Sequence, residues 1–374
     1  MPSTALRQSI LKSARRIVVK FGTQLLTGGD GHLDVAYLKE MATQIASLRK
    51  EVYEITVVSS GAIGAGLAEL KMATRPRDVA ELQAVAAVGQ RRLMTYLYDA
   101  FAPHQLGVGQ VLVTRGDFDD RQRYLNIRNC ITHLHRLGCV PILNENDTVA
   151  VEELRFGDND QLAALTCNAL RADALILLTV VNGLLDEKGQ RIDLVEELGS
   201  VQGHVRTEKS RLGSGGMQSK LTSVSLATEA GEIAVIANGR EPNVLRRILS
   251  GDTGIGTVFA PAKKKLAARQ RWIGLTKRPA GKLTIDDGAL AALNRGKSLL
   301  PAGITKVEGT FDRGAVIAVL NRDGQEVARG LSNYSADETR LIQGQKTSQL
   351  GKTLGREAYD EVIHRDHLVM TGKA

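Results

Sequence analysis

The stretch RIVVKFGTQLLTGG, residues 16–29, joins a continuous apolar run to a glycine turn and a polar loop. A run as apolar as RIVVK is typical of a strand that is buried on both faces, inside a parallel sheet covered by helices. Five similar runs follow, at EITVVSS (54–60), GQVLVT (109–114), CVPILN (139–144), ALILLTV (174–180) and EIAVIAN (232–238). Longer amphipathic segments separate them, at residues 34–51, 77–101, 119–137, 158–171 and 216–230. We therefore predict a three-layer α/β/α sandwich with a mainly parallel sheet over residues 1–260.

The pattern changes after residue 260. The segment APAKKKLAARQRW (260–272) reads as helical, and we treat residues 261–278 as a connector. Short strand-like runs separated by Gly and Asp turns follow in GKLTIDDGAL, GITKVEGTFDRGAVIAVLNRDGQEVARGLSNYS and EVIHRDHLVM. This texture predicts a small β-rich domain or partial barrel over residues 279–374.

Composition limits the class of protein. With 374 residues, 43% hydrophobic and 24% charged, the chain has the make-up of a folded protein. No apolar run approaches the roughly 20 residues that cross a bilayer. The three cysteines show neither a disulfide framework nor a CxxC spacing, which favours a reducing cytoplasm. The basic first 16 residues faintly resemble a transit peptide, but the strand-like RRIVVK follows at once, so we set that interpretation aside.

Positive charge is concentrated at the C-terminal end. Residues 263–374 carry 20 Lys/Arg and 12 Asp/Glu, which equals the whole net charge of +8. A basic module can bind nucleic acid, although a solvated basic surface is the commoner explanation. The tail also offers few aromatic side chains for stacking on bases: Trp272, Phe311, Tyr334 and Tyr359 are scattered.

Several familiar phosphate and metal motifs are excluded. The glycines of GAIGAG stand in the wrong order for a dinucleotide fingerprint, and GKT at 351–353 is preceded by Lys346 where a Walker loop needs glycine. What remains is a set of separated pieces at the ends of strands. They are Lys20 beside FGT, the Ser59–Ser60–Gly61 helix start, and Lys220 in GSGGMQSK (213–220).

RFGDNDQLAALT, residues 155–166, places acid at a helix start. One interpretation is simple capping, since Asp and Asn accept bonds from first-turn N–H groups. The other is that Asp160 faces the ligand crevice beyond the strand ends, where its partners would be Lys20 and Lys220. The lysines would then stabilise the charge of a phosphoryl group during transfer. Both interpretations remain open at this point.

Six motifs in order resemble the amino-acid kinase family, and in particular its members that phosphorylate glutamate. They are VVKFGTQLLT, VVSSGAIGAG, AAVGQRRL, PILNENDTVA, FGDNDQLAAL and LGSGGMQSKL. The tail motifs LTIDDGA, LLPAGI and RGAVIAV resemble a PUA domain. The resemblance implies ATP-dependent phosphorylation of the γ-carboxylate of L-glutamate to L-glutamyl 5-phosphate, the first step of proline biosynthesis, with Mg²⁺ accompanying ATP.

The resemblance also implies roles for individual residues. Lys20 would touch the transferring phosphate, Lys220 would act at the transition state, and Asp160 would organise both lysines. Glutamate would be held by Ser60, Gly61, Asp147 and Asn159, although Asp147 also suits a plain turn role in NEND. The nucleotide would be held by Lys20, Gly22, Thr179, Val180, Ser214, Gly215, Gly216, Met217, Gln218, Ser219 and Lys220. Val180 stands where similar enzymes have an acid, so it could offer only its backbone.

The same resemblance carries expectations about partners. Proline would be a feedback inhibitor sensed by a loop that includes Glu153, glutamyl phosphate reductase would be the downstream partner, and the chain would form a homo-oligomer, dimer or tetramer, without a membrane. Two alternatives stay open. One is a sister kinase that acts on aspartate or N-acetylglutamate, and the other is RNA binding through the basic tail.

Overall fold

A computed structural model describes residues 3–28, 33–150, 159–199, 201, 216–262 and 267–371, without the side chains of residues 3 and 268. The chain divides into two compact units, Met1–Lys265 and Leu266–Ala374. Residues 266–278, which the sequence analysis treats as a connector, therefore belong to the second unit. Within the described ranges, no helix combines the length and the apolar character that a membrane crossing requires.

The first unit is built on one sheet. Its described strands are β1 (Arg16–Phe21), β2 (Glu54–Val58), β3 (Val108–Val113), β4 (Val140–Glu145), β5 (Ala174–Thr179), β6 (Leu194–Val195), β7 (Ile233–Asn238) and β8 (Thr257–Phe259). They lie in the order β3-β4-β2-β1-β5-β7-β8-β6. All neighbours are parallel except β7 and β8. This arrangement confirms the mainly parallel α/β sheet.

Helices flank this sheet. They are α1 (Ser3–Lys12), α2 (Thr23–Leu26), α3 (Val35–Lys50), α4 (Ala62–Glu69), α5 (Val79–Phe101), α6 (Arg115–Asp119), α7 (Arg121–Arg136), α8 (Asn159–Leu170), α9 (Met217–Glu229) and α10 (Val244–Ser250). Side chains of Asp34, Asp78 and Asp120 accept backbone N–H bonds at the starts of α3, α5 and α7. These N-terminal caps fix the residue at which each helix begins.

The central strands bring their carboxyl ends to one edge. Lys20 of β1 lies in register with Val58 of β2 and Leu177 of β5, and Val58 lies in register with Leu143 of β4. Because these strands are parallel, the loops that follow them open on the same side of the sheet. Every residue of β5 except the last is buried, as is all of β4.

One local expectation was wrong. The run GQVLVT was expected to be buried on both faces, but β3 lies at the edge of the sheet and Leu112 is exposed. The sequence predicts no strand at β6 or β8, which are too short to show a periodic pattern. It also predicts no helix in the first residues, where α1 packs Leu11 into the core and buries Arg7 completely.

The second unit is β-rich, as expected. Its strands β9 (Gly281–Ile285), β10 (Ile304–Gly309), β11 (Val316–Leu320), β12 (Glu326–Leu331) and β13 (Leu368–Met370) lie in the order β10-β9-β11-β12-β13. Helices α11 (Ala268–Arg271), α12 (Asp287–Asn294), α13 (Ala336–Ile342) and α14 (Leu350–Leu354) accompany them, and a π-helical turn spans Trp272–Thr276. Leu283, Ile317 and Tyr334 belong to a hydrophobic core of this unit alone.

Candidate functional site

Three charged side chains meet at the carboxyl edge of the first sheet. Lys20 is the last residue but one of β1, Asp160 lies in the first turn of α8, and Lys220 lies in the first turn of α9. Lys20 Nζ is 2.7 Å from Asp160 Oδ1, and Lys220 Nζ is 2.9 Å from Asp160 Oδ2. We call these residues the lysine–aspartate cluster. One carboxylate therefore bridges two ammonium groups that are far apart in sequence.

The cluster is buried and carries net charge +1. The exposed fractions are 7% for Lys20, 1% for Asp160 and 8% for Lys220. Burial by itself raises the pKa of Asp160, but the two lysines outweigh it and lower that pKa below its ordinary value. The carboxylate thus stays ionised, and it holds two ammonium groups close together in a poorly solvated place. Two ammonium groups held in this way can donate to the oxygens of an anion, so the cluster suits a phosphate.

A second group of polar side chains lies beside the cluster. Asn159 precedes Asp160 and its side-chain N–H₂ donates to Ser60 Oγ at 2.8 Å and to the Ser59 carbonyl at 3.0 Å. It also donates to Asn144 Oδ1 at 3.2 Å. The structure therefore brings Ser60 and Asn159 together, with Asn144 as a third member. Sequence reasoning missed Asn144, although it lies in the quoted motif NENDTV at the end of β4.

Two glycines set the backbone of these loops. Gly61 precedes α4 with φ of +101°, a conformation that side chains rarely adopt, so the turn after Ser60 requires glycine. Gly22 lies between β1 and α2, where its N–H donates to the Leu178 carbonyl at 3.0 Å. A Cβ on Gly22 would stand 3.1 Å from that carbonyl oxygen. Gly22 therefore holds its loop close to neighbouring backbone, whereas Gly61 provides the left-handed turn before α4.

Asp147 follows β4 in a turn and is half-buried. Burial raises its pKa to about 6, and nearby Arg75 partly offsets that effect. A carboxyl group that ionises at this cost gains most when a cation binds beside it. Asp147 is therefore a chemically suitable partner for an ammonium group.

The residues expected around the nucleotide lie on the β5 and α9 side. Thr179 ends β5, and its carbonyl accepts the Gly239 N–H at 2.8 Å. Val180, at 43%, is exposed although it is apolar. Gly216 precedes α9 without a side-chain cap, and Met217, Gln218 and Ser219 form the first turn with Lys220. This uncapped helix start suits a phosphate.

Part of the expected site lies outside the described residues: Glu153, Ser214 and Gly215. Over the ranges that are described, no group of three His, Cys, Asp or Glu side chains could hold a metal ion. Both oxygens of Asp160 contact lysines. These residues therefore do not provide a metal site of their own.

Comparisons with known proteins place this geometry in context. A family model described as "Amino acid kinase family" matches residues 15–238, and one described as "PUA domain" matches residues 281–354. Glutamate 5-kinase of Geobacter sp. (strain M21) is 41% identical over 373 residues, 98% of this chain and 100% of that one. Glutamate 5-kinase of Synechococcus sp. (strain JA-2-3B'a(2-13)) is 46% identical over 365 residues, 95% of this chain and 98% of that one.

A solved structure shares part of the fold. N-acetylglutamate synthase from Neisseria gonorrhoeae aligns with a TM-score of 0.51 at 15% identity, over 70% of this chain and 63% of that one. At this identity the likeness concerns the fold alone.

Proposed function

Because the chain belongs to the amino acid kinase family and carries a PUA domain, we propose that it transfers the γ-phosphoryl group of ATP to the γ-carboxylate of L-glutamate. The product is L-glutamyl 5-phosphate, the first intermediate of proline biosynthesis. Relatives named glutamate 5-kinase match at 41% and 46% identity over nearly the whole chain. The single observation that carries the chemistry is the buried lysine–aspartate cluster, in which one carboxylate bridges two ammonium groups.

The cluster addresses the main difficulty of this reaction, which is to bring two anions together. A glutamate side chain has an ordinary pKa near 4.3, so it is already a nucleophile at neutral pH and needs no general base. Lys20 contacts the phosphoryl group that is transferred. Lys220 stabilises the negative charge that develops on this phosphoryl group and on the leaving phosphate in the transition state. Asp160 holds both ammonium groups in place, and its negative charge offsets the repulsion between them.

Glutamate is bound by the polar group next to the cluster. Ser60 and Asn159, which are joined at 2.8 Å, face the substrate together with the backbone at Gly61. Asp147 receives the α-ammonium group, which compensates the cost of ionising this carboxyl. Binding the cation here and the γ-carboxylate near the lysines gives the substrate one orientation.

ATP lies over the β5 and α9 side. Lys20, Gly22 and the segment from Ser214 to Lys220 surround its phosphates, while Thr179 and Val180 border the base, Val180 through its backbone. Mg²⁺ enters as part of the Mg·ATP substrate, where it shields the phosphate charge.

Regulation and context follow from the same family membership. We infer that proline inhibits the enzyme through the loop containing Glu153, and that the chain acts as a cytoplasmic dimer or tetramer. Its acyl phosphate product would pass to glutamyl phosphate reductase. The support is the motif resemblance, because the Glu153 loop lies outside the described residues.

An ADP-release assay with a panel of acceptors tests the proposal. We expect turnover with L-glutamate that depends on Mg²⁺ and falls when proline is added. Aspartate, N-acetylglutamate and UMP should be poor acceptors at equal concentration. If one of them outperforms glutamate, the assigned substrate is wrong even though the fold assignment stands.

A further inference from the structure

A chain of side-chain amides runs from helix α5 to the substrate group. Asn144 Nδ2 donates to Gln90 Oε1 at 2.8 Å, and Asn144 Oδ1 accepts from Asn159 Nδ2 at 3.2 Å. Asn159 in turn donates to Ser60 Oγ. Gln90 thus lies two hydrogen bonds from Asn159 and three from Ser60, on a different element from either.

The backbone dictates the orientation of every amide in this chain. The Glu145 N–H donates to Asn144 Oδ1 at 2.9 Å, so that oxygen must face Glu145 and Asn159. The Ser59 carbonyl can only accept, so Asn159 must present its N–H₂ there. Asn144 is then left with its N–H₂ pointing away from Asn159, and Gln90 supplies the oxygen that it needs.

Gln90 contributes this oxygen from a rigid position. Its neighbour Gly89 packs so tightly against α4 that a Cβ there would stand 1.8 Å from the Ala62 carbonyl oxygen. The Gln90 side-chain nitrogen is buried, and it finds no hydrogen-bond partner among the described residues. The value of this glutamine therefore lies in its carbonyl oxygen. Gln90 also borders an open cavity of about 590 Å³, which is lined by Met94 and Val108 and by the polar side chains of Thr95, Tyr98 and Gln110.

We propose that Gln90 is a positioning residue for glutamate, acting through Asn144 on the Asn159–Ser60 pair. This inference rests on the proposed function. Asn144 is only 2% exposed, so its N–H₂ cannot turn to water when Gln90 Oε1 is removed. The amide rotates or shifts instead, and it carries the Asn159 contact with it. The nucleotide phosphates are held by other elements, so ATP binding should not change.

Two pairs of variants test the proposal. Gln90→Leu and Gln90→Met remove the acceptor with little change in volume, whereas Gln90→Glu keeps an acceptor oxygen and replaces the unpartnered N–H₂ with a second oxygen and a negative charge. Met94→Leu, one helical turn along the same cavity, is the matched control. For each protein we would measure kcat, KM for glutamate, KM for ATP and the thermal midpoint.

Gln90→Leu and Gln90→Met should raise KM for glutamate about tenfold, as expected for a buried donor left without its acceptor. KM for ATP should stay close to that of the unsubstituted protein, whereas the thermal midpoint should fall by a few degrees, because the same donor lacks its acceptor in the free protein. Gln90→Glu and Met94→Leu should keep KM for glutamate within about twofold.

Three results would overturn the inference. One is an unchanged KM for glutamate in Gln90→Leu and Gln90→Met. Another is an equal rise of both KM values, which would indicate a general packing role. The third is a Gln90→Glu variant as impaired as Gln90→Leu. A protein that turns over no glutamate before substitution would refute the proposed function itself, which distinguishes the two failures.

Discussion

Substitution of Gly66 by alanine tests the packing of α4 against α5. Helix α4 follows Ser60, and helix α5 carries Gln90. A Cβ at Gly66 would stand 2.0 Å from the Val85 carbonyl oxygen and 2.8 Å from its carbon. Both are backbone atoms, so no change of rotamer relieves the overlap. Restoring an ordinary contact requires the helices to separate by roughly 1.5 Å. We expect overpacking to cost about 3 kcal/mol, against which better helix propensity returns about 1 kcal/mol.

Gly64 provides the matched control on the same helix. Among the described residues, its Cβ would meet only the Thr27 methyl group, at 3.4 Å, which is ordinary contact. Gly64→Ala should therefore keep the propensity gain of about 1 kcal/mol and be at least as stable as the unsubstituted protein. Gly66→Ala should be about 2 kcal/mol less stable, so its thermal midpoint should fall by roughly 4–8 °C.

The same displacement should reach the substrate. Helix α4 begins directly after Ser60 and Gly61, so a shift of the helix weakens the 2.8 Å contact between Ser60 and Asn159. Calorimetry and glutamate kinetics on both variants check the reasoning. It would be refuted by a Gly66→Ala protein that melts no lower than Gly64→Ala, because the overlap would then be relieved at no cost.

The remaining predictions concern charge and burial. Lys220→Ala and Asp160→Ala should each lower kcat about 100-fold or more, with a smaller effect on KM for glutamate, because the cluster acts mainly on the transition state. Steady-state kinetics in which only KM rises would indicate that the cluster binds the substrate and the transition state equally. Burial raises the pKa of Asp147 to about 6, so the ionised form carries a folding cost that is complete above that pH and vanishes below its unfolded value near 3.8. The Asp147→Asn protein should therefore melt at a higher temperature than the unsubstituted protein at pH 8 and lose that advantage by pH 4. In the unsubstituted enzyme, kcat/KM for glutamate should fall below pH 6. The same difference in thermal midpoint between the two proteins at both pH values would contradict this. Arg7 is fully buried and donates to backbone carbonyls of the 252–256 loop and of Asp193, so Arg7→Ala should destabilise the protein by about 3–5 kcal/mol. A thermal midpoint within about 2 °C of the unsubstituted protein would show that α1 is dispensable for stability.

Much of the fold was accessible from local pattern. The six apolar runs became strands with ends displaced by one or two residues, because burial on both faces of a parallel sheet leaves a continuous apolar signature. Parallel direction alone also places all the glycine-rich loops on one edge. It follows without coordinates that Lys20 and Ser60 belong to the same side of the sheet, whereas the orientation of Asp160 stays open. The short strand β8 had no such signature, since three residues carry no period.

The contacts within the site needed the three-dimensional arrangement. A charged residue has the same local pattern whether it is solvated or buried, so Asp160 could be a cap or a bridge until α8 and α9 were packed side by side. Gln90 shows the point most clearly. It is 54 residues from Asn144 and reads as an ordinary helix residue. The close approach of α5 to α4 brings Gln90 to Asn144. The backbone groups of Glu145 and Ser59 orient the side-chain amides of Asn144 and Asn159, which leaves the Asn144 N–H₂ to donate to Gln90. Periodicity along a chain shows which side of a helix or strand is apolar. Whether two polar groups on different elements form a hydrogen bond depends on their donor–acceptor distance to within a few tenths of an ångström, and only the packed structure sets that distance.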